Sequence, residues 1–195
     1  MASGRARLIG VSRLRDGLRV TVRPVCPRDA GRVQDYVRAL APSSRYDRFL
    51  GPVNELSLPE LERMTRGDGR QTTLIAESKI AGARVMVGEA RGAVAPDGLS
   101  CEVAVSVADA WRGRGLGMLL LQQLECRARG LGARTLVGDV LRANVPMKRL
   151  ARKAGFDLAG VPPDARLVRI VKDVSAPSLG LPCAQPTAAE LPFAA

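Results

Sequence analysis

Residues 100–118, Ser-Cys-Glu-Val-Ala-Val-Ser-Val-Ala-Asp-Ala-Trp-Arg-Gly-Arg-Gly-Leu-Gly-Met, carry the pattern that decides the fold. Ser100–Val107 reads as a strand, with Glu102, Ala104 and Ser106 on one face and Val103, Val105 and Val107 on the other. Residues 116–129 read as a helix whose apolar face is Leu120, Leu121, Leu124 and Ala128. Between them lies the glycine-rich turn Arg112-Gly113-Arg114-Gly115-Leu116-Gly117-Met118. The first amides of a helix lack intrahelical acceptors and sit at the positive end of its dipole, so the turn is a candidate anion site. Two familiar phosphate loops do not fit. A dinucleotide G-x-G-x-x-G needs glycine where Met118 stands, and a P-loop needs lysine after its last glycine.

Upstream, residues 18–25 alternate as a strand, and Pro27 opens a helix with Ala30, Val33, Val37 and Leu40 on one face. A short helical turn covers 44–50, and Ser57 with Glu60 forms a capping box for a helix through Met64. Residues 71–77 and 83–91 are strands. Ala95-Pro96-Asp97-Gly98 is turn chemistry that folds the second of these onto Ser100–Val107 as an antiparallel hairpin. If the turn closes between Ala95 and Gly98, Arg91 stands opposite Glu102 and Glu89 opposite Ala104. Downstream, Thr135–Leu141 is a buried strand. Asn144 caps a helix that has Pro146 in its first turn and ends at Gly155, with Phe156 packing back on Leu150 or Ala151. Residues 166–171 form a last strand. The expected organisation is one mixed α/β domain over 13–174, a flexible N-terminus over 1–12 and a disordered, proline-containing tail over 175–195.

Thirty basic against 19 acidic residues give a net charge of +11, and nearly all the basic residues are arginine. Such a charge suits a small polyanion. Nucleic acid is not expected, because aromatics are 3% and the arginines are spread along the chain rather than gathered in a tail. No run reaches the roughly 18 apolar residues of a membrane span. The N-terminus lacks an apolar signal region, so a cytoplasmic protein with no membrane partner is expected. Histidine is absent, which removes every imidazole base. Four scattered cysteines without a CxxC pair predict neither a metal site nor a disulfide framework.

Arg112, Gly115 and Gly117 match R/Q-x-x-G-x-G/A, the pyrophosphate signature of the GNAT acetyltransferases, and the chain resembles that family over about residues 12–173. Cys101 to Val107 with Trp111 looks like the family's E-x-A-V-x-V strand entering a W-x-G-x-G-L-G turn. Leu136 to Leu141 with Asn144, Met147, Leu150, Ala151, Gly155 and Phe156 looks like L-V-G-E-V-L-x-x-N-x-x-M-x-x-L-A-x-x-x-G-F. Ser44-Arg45-Tyr46-Asp47-Arg48-Phe49 resembles a segment of bacterial protein-lysine acetyltransferases that act on acyl-CoA synthetases.

The resemblance implies a GNAT fold: a mixed, mostly antiparallel twisted sheet flanked by helices. It implies transfer of an acetyl group from acetyl-CoA to an amine. Coenzyme A contacts are then expected at Val105, Val107, Arg112, Gly113, Arg114, Gly115, Leu116, Gly117, Met118, Asn144 and Met147. The strand carrying Val105 is expected to splay from its neighbour, with a backbone N–H near Val105 polarising the thioester. A lysine ammonium, with a reference pKa of about 10.4, needs a base. Without histidine a carboxylate is the candidate. The resemblance points to Glu102, made more basic by burial, with Glu89 in reserve; an ion pair with Arg91 is the structural alternative for Glu102. Arg45 and Arg48 are expected on the acceptor side, facing an acidic patch of an acyl-CoA synthetase. A small-molecule amine acetyltransferase and a non-catalytic acyl-CoA sensor are the alternatives. Three departures stand out: Val103 replaces a usual phenylalanine, Glu89 replaces an apolar residue, and no tyrosine follows Tyr46 to act as general acid. Larger relatives fuse a cyclic-nucleotide or amino-acid-sensing domain, for which 195 residues leave no room.

Overall fold

The computed structural model describes residues 10–67, 69–159 and 164–176. In chain order the elements are β1 (Gly10–Arg13), β2 (Arg19–Pro24), a 3₁₀ turn (Pro27–Asp29), α1 (Ala30–Ala39), α2 (Pro42–Phe49), α3 (Leu58–Arg66), β3 (Gln71–Ile80) and β4 (Ala83–Val94). They continue with β5 (Ser100–Val107), a second 3₁₀ turn (Asp109–Trp111), α4 (Leu116–Gly130), β6 (Thr135–Leu141), α5 (Val145–Lys153), β7 (Asp157–Ala159) and β8 (Leu167–Asp173). The strands form one sheet in the order β1-β2-β3-β4-β5-β6-β8-β7. Among the described strands, β5 and β6 alone pair in parallel; every other neighbour is antiparallel. This is the mixed, mostly antiparallel sheet flanked by helices that the resemblance implies.

Each face of the sheet carries its own core. On one face Leu120, Leu124 and Ala128 of the expected α4 stripe, joined by Leu116, pack on Ala90, Cys101, Val103 and Leu136, and Ala151 of α5 with Phe156 extends this core; Leu121 is buried but lies outside this cluster. On the other, Val33, Tyr36 and Val37 of α1 and Leu61 and Met64 of α3 cover Ile75 and Met86. Among the described residues this second core draws nothing from β6, β7 or β8. Local signals set the helix ends. Ser57 Oγ accepts from the Glu60 amide while Glu60 returns a bond to the Ser57 amide. Asn144 Oδ1 accepts from the Met147 amide at 3.0 Å. At the end of α5, Phe156 N–H donates to Ala151 O at 2.9 Å and Gly155 N–H to Arg152 O at 3.1 Å, a complete Schellman stop.

Four expectations need correction. The β4–β5 ladder runs Ala93↔Glu102, Arg91↔Ala104 and Glu89↔Ser106, two residues off the predicted register. The cause is the loop: Ala95 O accepts the β-turn bond from Gly98 N–H (2.9 Å), but the first ladder partner of Ala95 is Ser100 (Ala95 N–H to Ser100 O, 2.8 Å), so Gly98 and Leu99 both belong to the loop. Arg91 therefore does not face Glu102. Second, Gly10–Arg13 pairs with β2, so order reaches into the stretch expected to be flexible; residues 1–9 lie outside the described residues. At the other end Val174 is buried, and 177–195, most of the expected tail, also lies outside them. Third, β7 forms without a strand signal of its own, by pairing three residues with β8. Fourth, Cys26 and Cys101 are free thiols, but Cys126 is disulfide-bonded: scattered positions in sequence do not decide proximity in space. No helix among the described residues is long and apolar enough to cross a membrane.

Candidate active site

The pairing of β5 with β6 stops after Ser100↔Thr135, Cys101↔Leu136 and Glu102↔Val137. β5 continues to Val107 and β6 to Leu141, so the two strands part at Glu102. Gly138 sits at this fork: a Cβ there would stand 2.9 Å from the Val103 carbonyl, a separation no side chain tolerates. Ala95 N–H donates to Ser100 O (2.8 Å) and Thr135 N–H to Leu99 O (3.1 Å), which sets the alternation along β5. The backbone polar groups of Glu102, Ala104 and Ser106 turn toward β4, and those of Val103, Val105 and Val107 toward β6. Beyond the fork β6 pairs with β8 but no longer with β5. Val105 and Val107 thus present an open ladder edge, which an extended, amide-bearing ligand can complete as an added strand.

That edge floors a cleft of about 440 Å³, an ordinary size for a small-ligand site. Asp139 and Val140 line the β6 side, Asn144 and Met147 enter from α5, and the glycine turn closes one end. α4 starts there at Gly115, whose φ of +92° disfavours other residues, and no side chain caps the helix. Its first amides are open to the cleft. Arg15, Arg112, Arg149 and Lys153 surround them with positive charge. Arg114 does not join this ring. Its Nε and Nη2 donate to Ala110 O at 3.3 and 3.1 Å, it pairs with Asp16, and it stacks over Trp111.

On the α1–α3 side of the fork stand the carboxylates. Glu102 is exposed, on the same face as Ala104 and Ser106 but outside the lining of the cleft itself, and it forms no ion pair among the described residues. The burial expected to make it more basic is therefore not present, and neither is the Arg91 pair; Arg91 Nη2 instead donates to Gln71 Oε1 at 2.6 Å. Glu89 is 2% exposed. Arg48 grips it with Nε on Oε1 and Nη2 on Oε2, and Ser106 Oγ donates to Oε1 at 2.9 Å. Burial alone would lower the Arg48 pKa, but the Glu89 charge outweighs it and holds the guanidinium protonated. Tyr36 OH meets Ser106 Oγ at 2.9 Å, completing a buried chain. Asp109 ties this wall to the glycine turn: it accepts from Ala41 N–H (2.9 Å) and Ser44 Oγ (2.6 Å) and pairs with Arg112 (3.1 Å).

Residues 39–156 match the Acetyltransferase (GNAT) family. An acetyltransferase of Pseudomonas aeruginosa is 33% identical over 147 residues, which cover 75% of this chain and 79% of that one. The chain belongs to the GNAT acetyltransferase family. Among solved structures, the GNAT domain of Streptomyces lividans PAT is similar with a TM-score of 0.77 and 29% identity, over 85% of this chain and 96% of that chain. A cAMP-binding acyltransferase from Mycobacterium smegmatis shares the fold at a TM-score of 0.60 and 22% identity, 97% of this chain matching 50% of that one.

GNAT acetyltransferases take acetyl-CoA or another acyl-CoA as donor. The cleft fits such a ligand on its own geometry: an open ladder edge for a pantetheine arm, an uncapped helix start for a pyrophosphate, and cations for its charge. Of the expected contacts, Val105, Val107, Arg112, Gly113, Gly115, Leu116, Gly117, Met118, Asn144 and Met147 line the cleft, and Arg114 does not. Arg15, Arg149 and Lys153 escaped the sequence reading. The last two were legible, as an i, i+4 pair on a helix whose cap already pointed at the cleft; Arg15, from the β1–β2 loop, left no local signal. Arg45 is corrected. Its guanidinium donates to Val53 O (3.0 Å), Arg38 O (3.0 Å) and Leu40 O (2.5 Å), which ties it to the end of α1 rather than to an acceptor. Arg48 lines the cleft but is held by Glu89, so it too is a poor reader of an acidic partner.

Proposed function

We propose that this GNAT protein is an acetyl-CoA-dependent N-acetyltransferase acting on protein lysine by direct transfer, with Glu102 as base and an acyl-CoA synthetase as target. The fork between β5 and β6 carries the reading, because it sets an open backbone edge beside a carboxylate that has no ion-pair partner among the described residues. When bound, acetyl-CoA supplies the acetyl group, whose transfer forms a C–N bond, breaks the C–S bond and leaves a thiol. The chain's residues do the rest. Arg15, Arg112, Arg149 and Lys153 hold negative charge at the start of α4. The Val105 N–H, turned into the gap, is the preorganised donor for a carbonyl oxygen. Glu102 takes the proton that a lysine ammonium must lose before its nitrogen becomes nucleophilic. The Ser44 to Phe49 segment and the likeness to the S. lividans domain support a protein acceptor.

Glu102→Gln keeps shape and hydrogen bonding but accepts no proton. Its kcat is expected to fall by roughly 10²–10⁴-fold with the calorimetric affinity for acetyl-CoA unchanged. A rate unchanged at every pH would remove Glu102 as the base. For the acceptor, mass spectrometry of purified synthetases from the same organism should find acetyl on the catalytic lysine, with activity lost. Efficient acetylation of spermidine with the synthetases untouched would overturn the target.

A further inference from the structure

We propose that Asp47 recognises the acceptor amine as its ammonium ion. The inference rests on the N-acetyltransferase reading above and adds a specificity residue to it. α2 turns Ser44, Asp47 and Arg48 toward the cleft, as their i, i+3, i+4 spacing dictates. Two of the three are engaged. Ser44 Oγ donates to Asp109 and accepts from Arg112 Nη2 at 2.8 Å, and Arg48 clamps Glu89. Asp47 has no hydrogen-bond or ion-pair partner among the described residues. The cations of that wall each have another carboxylate partner, Arg48 in Glu89 and Arg112 in Asp109.

Nothing in the local structure accounts for an aspartate there. It stands in the last turn of α2, where a negative charge meets the negative end of the helix dipole. Burial pushes its carboxyl above the ordinary range, and the charge of Arg112 opposes this only in part. A carboxylate disfavoured by both its helix and its burial, yet turned into a cleft, has the signature of a ligand contact. The complementary ligand is a compact cation. Ala104 and Ser106 across the cleft bring no charge, and Asp139 is committed to Arg169 by bonds of 2.8 and 2.9 Å. An acyl-CoA, being anionic, is drawn to Arg15, Arg149 and Lys153 and repelled by Asp47, so the aspartate selects acceptor rather than donor. The two carboxylates then divide the work: Asp47 holds the amine while it is charged, and Glu102 removes the proton.

The test takes the full chain loaded with coenzyme A and titrates it with a blocked lysine, Nα-acetyl-lysine methylamide, by calorimetry or NMR, beside thiol release from acetyl-CoA. Asp47→Asn is expected to weaken lysine binding and raise its KM by roughly tenfold, the worth of one charge-assisted contact. The loss should fall on KM rather than kcat, spare coenzyme A affinity, and be largely restored by Asp47→Glu. Hydroxylamine, a nucleophile uncharged at neutral pH, should show the same KM with wild type and variant. Lysine binding equal to wild type in Asp47→Asn would overturn the proposal, as would a fall in kcat at constant KM, which would make Asp47 a second base. Wild-type protein that binds lysine through Asp47 but releases no thiol with any amine would instead sink the N-acetyltransferase reading and leave the ammonium site standing.

Discussion

Gly115 shows how much a single backbone angle decides. At φ +92° it turns the chain so that the first amides of α4 face the cleft, and a Cβ added there would stand 3.6 Å from Arg15 Nε and 3.7 Å from Arg15 Cγ. A Cβ at that distance is in ordinary contact, so the penalty valine meets at this position is the left-handed conformation, which β-branched residues disfavour by about 1–2 kcal/mol. Gly115→Val should therefore lower acetyl-CoA affinity by roughly tenfold or more while the far-ultraviolet circular dichroism stays native. Retained affinity would show that the pyrophosphate does not use this turn. The glycine turn was legible because backbone conformation is a local property, and the same holds for the Ser57 and Asn144 caps. Which arginine fills the cleft was not. Arg114 lies inside the motif yet pairs with Asp16, while Arg15 arrives from the opposite end of the chain; nothing between neighbouring residues encodes that exchange.

The acceptor wall depends on how α2 is docked. The Arg48–Glu89 pair, with side chains 9% and 3% exposed, joins α2 to β4, and Ser106 and Tyr36 extend it to β5 and α1. Glu89 looked like a misplaced charge in a position usually apolar; its partner explains it, and the partner was visible only as a motif residue with another expected role. Removing one member of such a pair strands a buried charge, at a cost of about 3–5 kcal/mol, whereas replacing both with well-packed neutral residues restores most of the stability. Arg48→Met is thus expected to lower the urea midpoint sharply and Arg48→Met with Glu89→Gln to recover much of it. Equal losses in the single and double variants would mean that the pair contributes nothing specific. At this scale element identity was readable from periodicity and caps, but register was not. Two residues, Gly98 and Leu99, lengthen the hairpin loop and move every β4–β5 partner by two, which is why Glu102 faces Ala93 and is left without the arginine that would have made it structural.

For the whole molecule, a net charge of +11 overstates the free positive charge of the surface, because many of the arginines, though exposed or half-buried, are paired with carboxylates. Strand order and the two edge strands were equally out of reach, since β1 and β7 are short and take their form from a neighbour rather than from their own residues. The largest internal use of arginine ties the N-terminal half together. Arg23 donates to Asp29 through two bonds of 2.7 Å and to Glu77 at 2.9 and 3.1 Å, and Arg32 meets Glu77 at 2.5 Å. These contacts join β2, β3, the first 3₁₀ turn and α1. Burial alone would raise both carboxyls, but the hydrogen bonds from Arg23, with help from Cys26 at Asp29 and Arg32 at Glu77, hold both below the ordinary range. A carboxylate whose folded pKa is depressed binds fewer protons in the folded state than in the unfolded one. Its stabilisation is complete above the unfolded values of about 3.9 and 4.3 and fades as pH falls through the folded ones, by at most about 1.4 kcal/mol per pH unit for each proton taken up. The urea midpoint at fixed ionic strength should accordingly hold steady at pH 6–7 and decline from about pH 5 toward pH 2. Asp29→Asn with Glu77→Gln should be less stable at pH 7 and show a shallower decline in acid. An acid limb as steep in that variant as in the wild type would place the pH sensitivity on other carboxylates.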